Sequence, residues 1–159
     1  MKKIVVKKLN TKELPLLSKL FHYKNLDEMI TENTQLIENN EIDIFALFID
    51  SNLIGELRVM YSNEDNRFAI QGQRAYLYAF RIDKKHQGKG YGRYLLAYVL
   101  NDLKAKGYTE FTVGVEDDNA RAIHIYKSFG FNDVIARKTE EYQGDRYEYN
   151  LYLKSSEEL

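Results

Sequence analysis

Gln87-Gly88-Lys89-Gly90-Tyr91-Gly92 is the stretch from which the rest of this chain can be read. Ala75-Tyr76-Leu77-Tyr78-Ala79-Phe80-Arg81-Ile82 precedes it and reads as a buried strand. Arg93 to Leu103 follows, with Leu95, Leu96, Val99, Leu100 and Leu103 at helical spacing. A glycine-rich turn therefore opens a helix directly after a strand. Such a turn presents unsatisfied backbone N–H groups at the positive end of a helix dipole, a site for phosphate or pyrophosphate. Glycine lets the backbone come close to a ligand. A Walker A loop needs Ser or Thr after Gly-Lys, and here Gly90 follows Lys89. The dinucleotide fingerprint needs a third glycine where this chain has Arg93.

Around this loop the order of elements is regular. Ile4 to Lys8 reads as a strand, and Thr11 caps a helix carrying Leu14, Leu17 and Leu20, with Pro15 in its first turn. Leu26 to Glu38 reads as a second helix. Ile42 to Ile49 and Ile54 to Tyr61 read as strands joined through Asp50-Ser51-Asn52. Ser62 to Arg74 is a polar loop. Lys106-Gly107 stops the helix that follows the glycine turn. Phe111, Val113 and Val115 alternate as a strand, and Asp117-Asp118-Asn119 caps a further helix that Gly130 ends. Phe131 to Arg137 and Arg146 to Leu153 form a closing antiparallel pair, turning near Gln143-Gly144-Asp145. The predicted order is βααβββαβαββ in one domain over residues 1–159.

Composition narrows the function. The 159 residues suffice for one domain burying roughly 70% of its unfolded surface. A net charge of -1 argues against general nucleic-acid binding. The chain has no cysteine, which removes disulfides, thiolate catalysis and zinc–thiolate sites, and its 3 histidines are scattered. Met1 to Lys8 has too few apolar residues for a signal peptide, and no apolar run is long enough for a membrane span. A cytoplasmic protein is expected. Basic residues gather at the loop (Arg81, Lys84, Lys85, Lys89, Arg93), as a polyanionic ligand would require. Asp27 to Asp43 is acidic, either a solvated helix face or a surface that attracts a cation.

The pattern Gln-x-x-Gly-x-Gly at Gln87–Gly92, together with the element order, resembles the acyl-CoA loop and the mixed α/β (α+β) fold of the GCN5-related N-acetyltransferase (GNAT) superfamily, a mixed central sheet with helices on both faces. A second segment, Asn119-Ala120-Arg121-Ala122-Ile123-His124-Ile125-Tyr126-Lys127-Ser128-Phe129-Gly130-Phe131, is similar to the family's Asn-x-x-Ala-x-x-x-Tyr-x-x-x-Gly-Phe. The resemblance is carried from Ala75 onward; before it only the element order agrees. It implies an acetyl-CoA-dependent N-acetyltransferase using no metal. The amides of Gly88, Lys89, Gly90, Tyr91, Gly92 and Arg93, behind Gln87, would hold the pyrophosphate. The backbone of Phe80, Arg81 and Ile82 would pair with the pantetheine arm. Asn119 suits a helix N-cap, and the family also sets it beside the pantetheine. Tyr126 would be the general acid that protonates the departing thiolate.

The family's strand carboxylate, which takes the proton from the amine, falls on Tyr76. Glu56 could act through water but reads first as an exposed strand residue, His86 reads as a surface histidine rather than a base, and Tyr78 as either core or acceptor lining, so no base is assigned. The implied acceptor is a small cationic amine, with no nucleic-acid or membrane partner, and a homodimer is a form relatives adopt. The alternatives are a non-catalytic acyl-CoA sensor and a protein N-acetyltransferase. A Rossmann-type nucleotide binder is disfavoured by the failed fingerprints.

Overall fold

The structure, a computed structural model, describes residues 2–155. Its elements are β1 (Ile4–Lys8), a 3-10 helix (Thr11–Lys19), α1 (Leu26–Glu38), β2 (Ile42–Ile49), β3 (Asn52–Met60), β4 (Arg74–Ile82), a 3-10 turn (Lys84–His86), α2 (Tyr91–Ala105), β5 (Glu110–Val115), α3 (Ala120–Ser128), β6 (Asp133–Tyr142) and β7 (Asp145–Ser155). The strands form one seven-stranded sheet in the order β1-β2-β3-β4-β5-β7-β6. It is mixed: β4 and β5 run parallel, whereas β1/β2, β5/β7 and β6/β7 are antiparallel. The expected order of elements holds.

Local chemistry corrects two details. The first helix is wound as 3-10, with Pro15 inside it removing one backbone donor. Its cap is Asn10 rather than Thr11. Asn10 Oδ1 accepts from the Lys12 and Glu13 amides at 3.0 and 3.1 Å, and Glu13 Oε1 accepts from the Asn10 amide at 3.0 Å, closing a capping box. The hairpin turns carry the positive φ that two-residue loops require: Asp50 (49°) and Ser51 (71°) between β2 and β3, Gln143 (48°) and Gly144 (85°) between β6 and β7.

The chain packs as two compact units. One holds the residues up to Val59 with Ala79–Asp102, the other Met60–Tyr78 with the chain from Leu103 onward. In the first, Leu14 and Leu17 of the 3-10 helix, Met29 of α1, Leu47 of β2 and Leu57 of β3 are fully buried. In the second, Leu77, Phe111, Val113, Phe131 and Leu151 are fully buried. Within that unit the loop before β4 is tied down. Thr112, fully buried, donates to Phe68 O at 2.6 Å, and Arg74 Nη1 donates to the carbonyls of Asn66 and Arg67 at 3.2 Å each.

Candidate active site

In the first unit, the glycine turn behaves as its sequence suggests. Gly88 and Gly90 have φ of 76° and 89°, and an added Cβ at either would meet nothing within 4 Å. The protein therefore demands these glycines for their left-handed backbone and leaves the space beside them open. Left-handed residues alternating with ordinary ones turn successive N–H groups toward one concavity, an anion nest. Helix α2 opens from the nest at Tyr91, earlier than the apolar pattern indicated. The i→i−4 ladder is joined by the Tyr94 amide, which donates to Gly90 O at 3.0 Å. The amides of Tyr91 and Gly92 belong to the first turn, whose N–H groups have no acceptor inside an α-helix. Lys84, Lys85, Lys89 and Arg93 are exposed around them.

The connection from β4 into the nest is braced. Asp83 donates its amide to Ile54 O at 2.7 Å, and Gln87 Nε2 donates to Ile82 O at 3.0 Å. His86 Nδ1 lies 3.0 Å from Asp83 Oδ2, and its ring meets Tyr91 edge-on at 6.0 Å. His86 is thus a half-buried partner of Asp83, not a surface histidine. Phe80, Arg81 and Ile82 form the end of β4 and are half-buried. They follow Ala79, whose φ is 52°, a left-handed conformation costing roughly 1–2 kcal/mol for a residue with a Cβ. The β4/β5 register runs from Arg74↔Glu110 to Leu77↔Val113, so the left-handed residue falls just past its end. Gly55 lets β3 lie close to this strand end: a Cβ there would stand 2.7 Å from Ile82 Cδ1 and 3.2 Å from Arg81 O.

The same unit corrects the expectation for Glu56. It is fully buried, and each of its oxygens accepts from a guanidinium: Arg58 Nε at 2.8 Å and Arg81 Nη1 at 3.0 Å. Both carboxylate oxygens are thus committed to ion pairs, a poor arrangement for a base.

In the second unit, Asn119 and Tyr126 stand at the two ends of α3. Asn119 Oδ1 accepts from the Ala122 amide at 3.1 Å, so its capping role is realised. Gly130, with φ of 96°, ends the helix in a Schellman turn: the Gly130 amide donates to Lys127 O at 3.0 Å and the Phe131 amide to Tyr126 O at 3.1 Å. That turn brings the Phe131 ring edge-on to Tyr126, with centroids 5.5 Å apart. The Tyr-x-x-x-Gly-Phe spacing thus has a physical reason, because the glycine turns the chain so that the phenylalanine packs on the tyrosine. Tyr126 is 4% exposed. Burial, assisted by Tyr76, pushes its phenol well above the usual range.

Tyr76 is buried in an aromatic cluster that sequence reasoning missed. Tyr78 stacks on it at 5.2 Å and Phe68 meets it edge-on at 4.9 Å. Tyr76 and Tyr149 share this cluster, and the Tyr149 hydroxyl donates to Glu140 Oε1 at 2.6 Å. Gly114 makes room for this pair: a Cβ there would stand 2.7 Å from the Tyr149 ring and 3.3 Å from Tyr76 Oη. Burial raises both phenols. Tyr78 belongs to this packing, as the core alternative had it.

Glycines at positive φ that open a helix at the end of a strand are an arrangement in which backbone amides can take a phosphate group. The sequence model of the acetyltransferase (GNAT) family matches residues 9–131, and the chain belongs to that family. It is 33% identical over 87 residues to the [ribosomal protein bS18]-alanine N-acetyltransferase of Haemophilus ducreyi, covering 52% of this chain and 60% of that relative. Among solved structures, the spermidine/spermine N-acetyltransferase of Vibrio cholerae is similar with a TM-score of 0.73 at 20% identity, covering 97% of this chain and 93% of that one. The paia N-acetyltransferase of Thermoplasma acidophilum, in complex with coenzyme A, gives 0.66 at 19% identity over 96% and 99%. At these identities the likeness is one of fold. No helix among the described residues is long and apolar enough to cross a membrane.

Proposed function

We propose that this chain is an acetyl-CoA-dependent N-acetyltransferase acting on an amine by direct attack. The observation that carries the proposal is the nest at Gly88 and Gly90 opening α2 in a member of the acetyltransferase family. The first-turn amides would hold the pyrophosphate, with Lys89 and Arg93 adding charge. The backbone of Phe80, Arg81 and Ile82 would receive the pantetheine arm as an added strand. Bound acetyl-CoA supplies an activated thioester, and the amine must reach it uncharged. Tyr126 would donate its phenolic proton to the thiolate as it leaves. Its burial supports this role in one respect, since the phenol stays protonated throughout the physiological range. It also weakens Tyr126 as an acid toward a thiol of pKa about 8.5, so stabilisation by hydrogen bonding would carry much of the effect.

The acidic run from Asp27 to Asp43 supports a small cationic acceptor, although Asp27 and Glu28 also favour the first turn of α1 and Asp43 pairs with Lys8 at 3.3 Å. A protein amine is the alternative acceptor that the bS18-alanine relative suggests. A sensor without turnover is favoured by one observation, the apolar packing of Tyr76 where a carboxylate base would stand. The experiment is release of CoA, followed with a thiol reagent, across polyamines, amino acids, aminoglycosides and short peptides. The protein contributes no thiol background, having no cysteine. Release that depends on an amine supports the enzyme. Acetyl-CoA binding without release from any amine would favour the sensor.

A further inference from the structure

The first unit contains a buried ion network for which cofactor binding has no use. Glu56 and Arg58 point to the same face of β3, as residues two apart on a strand do. Arg58 is 5% exposed and donates three ways: to Glu56, to Tyr23 Oη at 2.7 Å and to Asn33 Oδ1 at 3.4 Å. Its charge is matched by Glu56. Arg81 reaches the same carboxylate from β4, so one carboxylate serves two guanidinium groups. Tyr23 adds no negative charge, because burial holds its phenol above the ordinary range. Of the two guanidinium groups on this carboxylate, Arg58 is buried and Arg81 is the one that reaches solvent.

Arg81 is the member of the network placed to meet a ligand. Its guanidinium lies over the Phe21 ring, 4.1 Å from the centroid, and Nη1 is fixed by Glu56. Its remaining donors, Nε and Nη2, make no hydrogen bond among the described residues, and the side chain is 27% exposed. A guanidinium held at one corner and on one face, with donors to spare, is pre-organised for two-point binding of a carboxylate. Phe21 and Tyr23 come from the connector between the 3-10 helix and α1. The guanidinium thus lies against that connector, and its strand is the one along which the acetyl group would be delivered.

We propose that Arg81 anchors a carboxylate on the acceptor, so that the substrate is a zwitterionic amine of the amino-acid or peptide class. This rests on the N-acetyltransferase reading. Glu56 and Phe21 are positioning residues that hold the guanidinium.

The test is calorimetric titration of the protein saturated with CoA, using amines in matched pairs: an amino acid against its amide, and lysine against cadaverine. Turnover is measured on the same pairs. The carboxylate member is expected to bind about tenfold or more tightly than its partner, the range of a charged hydrogen-bonded contact. Arg81→Gln should remove that ratio, Arg81→Lys should retain part of it, and Phe21→Leu, which leaves every charge in place, should reduce it. Equal binding of both members, or an unchanged ratio in Arg81→Gln, overturns the proposal. So does a variant that weakens CoA itself while keeping the ratio, which would assign Arg81 to a cofactor phosphate. Carboxylate-dependent binding without acetyl transfer would sink the enzyme reading and leave the anion site standing.

Discussion

The nest of the first unit and the tyrosine frame of the second use glycine in opposite ways. Gly88 and Gly90 have left-handed φ and open space around them. Gly114 has ordinary φ and no space, with the Tyr149 ring where its Cβ would be. In the proposed function the nest would work through backbone amides in the open, tolerating side-chain change and failing when φ fails. The frame would work through a buried hydroxyl, tolerating neither lost volume nor lost polarity. This contrast says which substitutions should injure binding, which should injure turnover and which should injure the fold.

The largest effect should come from the frame. Tyr126→Phe removes one oxygen, and turnover should fall by about a hundredfold or more, within the range of a lost general acid. The acetyl-CoA dissociation constant should change little. Steady-state kinetics beside calorimetry checks this; an unchanged kcat would remove Tyr126 from the mechanism.

Alkaline pH should act next. Burial raises the phenols of Tyr76, Tyr126 and Tyr149. Above pH 10 the unfolded chain ionises its tyrosines while the folded chain keeps these three protonated. The unfolded state then binds fewer protons, so stability falls as pH rises, by about 1.4 kcal/mol per unit for each such phenol. Urea melts from pH 8 to 11.5 should be flat to about pH 10 and then decline. A triple Phe variant should lose most of the decline, the buried Tyr23 phenol keeping the remainder.

Crowding follows in size. Gly114→Ala drives a methyl into Tyr149 and should cost about 1–3 kcal/mol in denaturant unfolding. Ala79→Gly should be smaller and, unusually for a glycine, favourable: relief of the left-handed strain should outweigh the added chain entropy by a few tenths of a kcal/mol. A destabilised Ala79→Gly would mean that the methyl packs more than the backbone strains. Smallest of all, Lys89→Ala should weaken acetyl-CoA by no more than about threefold, because an exposed lysine adds under 1 kcal/mol to a site made of amides.

What the sequence disclosed follows the same division. Leu26–Glu38 and Ile42–Ile49 were legible to the residue, since apolar periodicity and flanking polar residues mark both. The loop was legible because its glycines are local demands. The apolar pattern starts α2 only at Arg93, two residues after its true start, because Tyr91 and Gly92 carry no such pattern. β6 was ended at Arg137 although it runs to Tyr142: Lys138 to Glu141 are held by an antiparallel ladder with β7, which needs no buried face. The burial of Glu56 was hidden because its partners, Arg58 and Arg81, neutralise it only once β3 and β4 lie side by side. The grouping of Tyr76, Tyr149 and Glu140 is hidden for the same reason, since β4, β6 and β7 meet through the sheet and not along the sequence.

The most direct test of the account is titration of acetyl-CoA into wild-type protein and Gly90→Val, with the melting temperature of each recorded. The wild type should bind. Gly90→Val should lose binding by about a hundredfold while remaining folded, since a β-branched residue cannot hold the left-handed φ at little cost and the nest is exposed. Equal affinity in the two proteins would contradict the central claim that backbone amides of this loop, held by glycine, bind the cofactor.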